Sequence, residues 1–125
     1  MTGPELDQFI ASNIHTVEEV EILALLSRSP ETFWSADAMA QHLSLRPEVA
    51  AARSRDLDRR GLLRTGESGP VYRFAPANDR IRKQVLELVE AYRDRRISVI
   101  NSIYSANLTR LRSFADAFKL GGGQE

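Results

Sequence analysis

A chain of 125 residues is long enough for one domain with a real core and too short for two. Its 42% hydrophobic and 27% charged content is ordinary for a folded domain, and the lack of cysteine excludes disulfides, thiolate metal sites and cysteine nucleophiles. Seventeen cations match seventeen acids, a net charge of zero that speaks against a non-specific nucleic-acid coat.

The charge is nevertheless uneven. Residues 1–45 carry seven acids against Arg28 alone, a balance of −6, whereas residues 46–125 carry sixteen bases against ten acids, a balance of +6. Fifteen of the cations are arginine, the better fork for phosphates and guanine edges. A high-GC coding sequence accounts for that excess at least as well.

The first residues, Met1-Thr2-Gly3-Pro4-Glu5, place no basic segment ahead of an apolar run, and no apolar run approaches membrane-spanning length. The expectation is a cytoplasmic protein without a membrane partner. Residues 1–15 have no clear period, although Phe9, Ile10 and Ile14 suit a short docking helix. Thr16-Val17-Glu18-Glu19 fits a capping box, and Val17, Val20, Leu23, Ala24 and Leu26 follow at helical spacing until Ser29-Pro30 ends the helix. Phe33-Trp34 reads as a very short strand, with Trp34 packed in the core or at a sheet edge. Ser35 is a good N-cap.

A forty-residue block from Ser35 to Phe74 carries the clearest pattern. It predicts a short helix over Ala36–Leu43, a turn at Ser44-Leu45-Arg46-Pro47, and a second helix from Glu48 to Arg60. Pro47 suits the first turn of that helix and Gly61 its C′ position. Leu62-Leu63-Arg64-Thr65 and Val71-Tyr72-Arg73-Phe74 then read as strands flanking the turn residues Gly66-Glu67-Ser68-Gly69-Pro70. With Leu57 facing inward at 100° per residue, Ala50 and Ser54 fall on the same side. The opposite face carries Glu48, Ala51, Ala52, Arg55 and Arg59, with Arg53 at the boundary.

Ala75-Pro76-Ala77 breaks from the sheet, and Asn78 or Asp79 caps a long helix predicted to reach Ile103 or Tyr104. Apolar residues recur at three and four along it, interrupted only at Arg93-Asp94-Arg95-Arg96. Roughly 25 residues span about 37 Å, more than a domain of this size covers. The stripe Val85, Leu88, Tyr92, Val99 and Ile103 is therefore expected to lie between two copies of the chain, in a homodimer; packing on its own domain is the other reading. Arg93, Arg95 and Arg96 would pair with a partner's acids or form a solvated cluster. Leu108, Leu111, Phe114, Ala115 and Phe118 suggest one further amphipathic helix before a flexible Gly121-Gly122-Gly123 end. Two units follow: residues 1–77, and residues 78–125 as the dimerisation segment.

Leu57-Asp58-Arg59-Arg60-Gly61-Leu62-Leu63 resembles the end of a recognition helix running into the first wing strand of bacterial regulators of the MarR-like and related winged types. The resemblance covers roughly residues 16–75. Two features depart from it. Ser54 stands where such helices usually carry an apolar residue, and the short wing has Glu67 and no cation at its tip, so minor-groove insertion by the tip is not expected.

The resemblance implies a mainly α fold with a small β-hairpin wing, a winged helix-turn-helix plus a long C-terminal helix. It implies a sequence-specific transcriptional regulator that binds double-stranded DNA as a dimer, with no enzymatic activity and no cofactor. Arg55 and Arg59 would then meet base edges, Ala51 and Ala52 would permit close approach, and Ser44, Arg46, Arg53, Arg64 and Arg73 would hold backbone phosphates. Glu48 is unfavourable there unless it accepts from cytosine N4. Glu18, Glu19 and Glu21 are expected in solvent, away from the duplex.

His15 and His42 have no neighbouring ligand pattern, so no metal site is expected, and no phosphate loop or catalytic triad stands out. The competing reading is a winged adaptor that binds a protein partner. It would show an exposed apolar patch, around Phe9, Ile10 and Ile14 or around Phe114 and Phe118.

Overall fold

Pro4 sits in the first turn of α1 (Pro4–Asn13), where its missing N–H leaves no helical bond unmade. The computed structural model describes residues 3–122, and side chains as far as Ala117. In α2 (Val17–Ser27) the capping box forms in full. Thr16 Oγ1 accepts from the Glu19 N–H at 3.1 Å, and the Glu19 carboxylate accepts from the Thr16 N–H at 3.1 Å. Val20, Ile22, Leu23, Leu25 and Leu26 are all buried, so α2 is the central helix of the core.

β1 (Trp34–Ser35) leads into α3 (Ala36–Leu43), whose first turn is closed by the Ala38 N–H donating to Ser35 Oγ at 3.1 Å. Ser44 ends α3 in the left-handed region, at φ 57° and ψ 44°. The chain there reverses into α4 (Pro47–Arg59). Gly61, at φ +79°, takes the position after the cap residue Arg60, a conformation that favours glycine. β2 (Leu63–Thr65) and β3 (Val71–Phe74) form the wing and join β1 in an antiparallel sheet of order β1-β3-β2. At Gly66 an added Cβ would lie 2.7 Å from Val71 Cγ2 and 3.2 Å from the Phe33 ring, so the bend of the wing has room only for glycine.

Asn78 caps α5 (Asp79–Asp94), its Oδ1 accepting from the Ile81 N–H at 2.9 Å. Here the structure corrects the expected single helix. Arg95 adopts φ −138° and ψ 59°, and a separate α6 (Arg96–Gly122) begins beyond it. No proline or glycine forces the break. It falls in the charged stretch Arg93–Arg96, which offers the core nothing to bury, and it lets α6 fold back against both α5 and α1. The expected last helix is simply the continuation of α6.

The fold-back covers the apolar stripe from within the chain. Val85, Leu88, Tyr92, Val99 and Ile103 are each 6% exposed or less, packed in the same core cluster as Phe9 and Ile10 of α1 and the following Ile14. A second apolar row remains on α6. Ile97, Tyr104, Leu108 and Leu111 are between 43% and 69% exposed. At 100° per residue they fall within an arc of roughly 60°, well away from Val99 and Ile103. From Leu111 to Ala117 every side chain is exposed.

Candidate nucleic-acid interface

The inward face of α4 is Ala50, Ser54 and Leu57, all fully buried. Ser54, the polar departure in this row, donates from Oγ to Met39 Sδ of α3 at 3.5 Å, so the buried hydroxyl has a partner. The helix is thereby oriented with Glu48, Arg55 and Arg59 exposed and Ala51 and Ala52 half-buried on the outer side. Ser44 and Arg46 are exposed just before the helix, with Arg46 Nε 3.8 Å from Glu48 Oε1. Arg64 projects from β2 into solvent. Arg73 of β3 is half-buried, with its guanidinium 5.7 Å from the centre of the Phe33 ring.

The arginines of α4 do not stand equally free. Asp56 lies between two of them, Oδ1 paired with Arg59 Nη2 and Oδ2 3.5 Å from Arg53 Nη1. Arg55 is exposed and makes no ion pair among the described residues. Glu18, Glu19 and Glu21 all differ from the solvent position expected of them, Glu18 being half-buried. Glu19 is fully buried, and half-buried Glu21 accepts from the Tyr92 hydroxyl at 3.0 Å. Neither reaches Arg55 or Arg59, so the acids of α2 leave the outer face of α4 open.

Glu19 instead meets Arg60, the cap residue of α4, at 2.9 Å. The same Nη1 donates to the Asn13 carbonyl at 2.8 Å, and Nη2 donates to His15 Nδ1 at 3.0 Å. Because a guanidinium only donates, Nδ1 must be the acceptor, which puts the imidazole in its neutral Nε2–H form. Burial, followed by the charges of Arg60 and Arg110, holds the His15 pKa below its ordinary value. Arg110 of α6 donates to the Ala11, Ile14 and Ile10 carbonyls at the end of α1, and Asn107 Nδ2 donates to the His15 carbonyl at 2.9 Å. One polar junction thus ties the end of α4 to α1, α2 and α6. Sequence reasoning missed Arg60. The available signal was Glu19 on an apolar helix beside Val20 and Leu23, where a buried carboxylate requires a cation.

No protein-family model matches the chain, and no curated protein matches its sequence. Among solved structures, the chain is similar to a MarR family protein of Mycobacterium tuberculosis. The identity is 24% and the TM-score 0.51, over 95% of this chain and 84% of that one. At that identity the likeness is one of fold. It is the winged helix-turn-helix that the block from Ser35 to Phe74 implied, mainly helical with a small three-stranded wing sheet. No helix among the described residues is long and apolar enough to cross a membrane.

Proposed function

We propose, taking the shared winged-helix fold as premise, that the chain is a sequence-specific DNA-binding transcriptional regulator acting as a dimer. The observation that carries this reading is the outer face of α4. It is exposed, has two alanines that allow close approach, and turns Arg55 and Arg59 outward one helical turn apart. In the major groove these two arginines reach base edges, while Ser44 and Arg46 before the helix and Arg64 and Arg73 on the wing meet phosphates. Two copies related by a twofold axis would present their α4 helices to half-sites about 34 Å apart.

The surface for the second copy is the outer row of α6, Ile97, Tyr104, Leu108 and Leu111, since the inner stripe is already buried. Spacings of seven, four and three suit a helix-to-helix seam. The adaptor reading loses its first patch, because Phe9, Ile10 and Ile14 are buried. Of its second patch, Phe114 is exposed and the Phe118 side chain lies outside the described residues.

A DNA-binding titration over a range of salt, with genomic fragments as the pool, tests the reading. The affinity should fall linearly with salt on logarithmic axes, and a subset of fragments should be retained at higher salt. Absence of binding to every fragment at low salt would remove DNA reading.

A further inference from the structure

We propose that Asp56 is a specificity-determining residue of α4: it holds Arg53 and Arg59 back from phosphates and so reserves Arg59 for the right base edge. This rests on the DNA-reading role of α4. Asp56 is three residues after Arg53 and three before Arg59, the spacing that brings helix side chains together. Each carboxylate oxygen takes one guanidinium. The carboxylate is also the fixed member of the trio, its side chain 22% exposed against 32% for Arg53 and 69% for Arg59.

Two consequences follow from the charges. Within Pro47–Arg59 the arginines at 53, 55 and 59 are matched by Glu48, Asp56 and Asp58, so the helix that faces DNA has no net charge. Its affinity for phosphate as such is therefore low. A phosphate, moreover, is an anion and is repelled by the Asp56 carboxylate beside Arg59, whereas a base edge carries no net charge. Guanine O6 and N7 can therefore take a free pair of the five guanidinium N–H groups while Asp56 keeps Nη2. The carboxylate thus weakens the sequence-independent contact more than the sequence-specific one. Were the two ion pairs only helix-stabilising contacts, removing them would leave that discrimination unchanged.

The test compares Asp56→Asn with Asp58→Asn, which removes the same charge from a side chain that makes no ion pair among the described residues. Two probes serve: a duplex selected by the unmodified protein from a randomised pool, and the unselected pool itself, each titrated with salt. Asp56→Asn should bind the unselected pool roughly 3–10-fold more tightly, with a salt slope steeper by about one to two counterions, and its preference for the selected duplex should fall. Asp58→Asn should shift both affinities together and keep the preference. A preference in Asp56→Asn equal to that of Asp58→Asn, or weaker binding to both probes, would overturn the role of Asp56 alone. Failure of the unmodified protein to bind either probe at low salt would overturn DNA reading and this inference with it.

Discussion

Two exposed arginines on the proposed interface have different geometry and should behave differently. Arg55 points out from the middle of α4, where a base edge would sit, whereas Arg46 precedes the helix beside Glu48. Arg55→Ala should cost roughly 1–3 kcal/mol of binding and relax selectivity at one base pair. Arg46→Ala should weaken all sequences alike and flatten the salt dependence by about one counterion. Competition binding with single-base variants of a selected duplex separates the two. His15 gives a prediction of another kind. Its pKa is lowered in the folded chain by burial, Arg60 and Arg110, so the unfolded chain binds the proton more readily. Its contribution to stability is complete above the unfolded value of about 6.5 and is lost as pH falls through the lower folded value. Denaturation midpoints measured from about pH 7.5 down to about 5.5 should decline, and His15→Gln should make the decline shallower. An equal decline in both proteins would show that other groups govern it.

At the scale of elements, α4 and its cap present adjacent arginines with opposite duties. Arg60→Ala leaves the fully buried Glu19 carboxylate without its cation and should destabilise the fold by about 3–5 kcal/mol. Arg59→Ala removes a solvent-facing pair and should change stability by less than about 0.5 kcal/mol. Chemical denaturation of the two variants reads the contrast directly. Nothing in Arg59-Arg60 as a sequence distinguishes them, since the inward turn of Arg60 depends on Glu19 and Asn13, both over forty residues away. The orientation of α4 was legible, by contrast, because one anchor, Leu57, and the helical period are enough to assign Ala50 and Ser54 to the core. So was the cap at Thr16, which depends only on residues three apart. The break at Arg95 was not. Apolar spacing continues on both sides of it, and what bends the chain is the return of α6 onto α1, a tertiary contact that periodicity does not encode.

For the molecule as a whole, one apolar row of the C-terminal half is buried in the core and the other is exposed, and the proposed dimer would use the second. Charged residues at Leu88 and Tyr92 should unfold the chain, because both side chains lie in its own core. The combination of Tyr104→Glu and Leu111→Glu should instead give a folded monomer, since both are more than 60% exposed. Sedimentation at tens of micromolar, where micromolar affinity corresponds to about −8 kcal/mol, should report a dimer for the unmodified protein and a monomer for the double variant. A monomer in both would remove the α6 seam.

The stretch from Leu111 to Ala117 continues α6 with every side chain exposed. A length of helix whose side chains are all exposed is marginal in water. In the proposed dimer its ordering is a cost met on association, subtracted from the affinity that the seam would otherwise have. Assembly and local folding obey one mass-action equilibrium in that case. Diluting the protein would melt this end of α6 before the rest, and the thermal midpoint would rise with protein concentration.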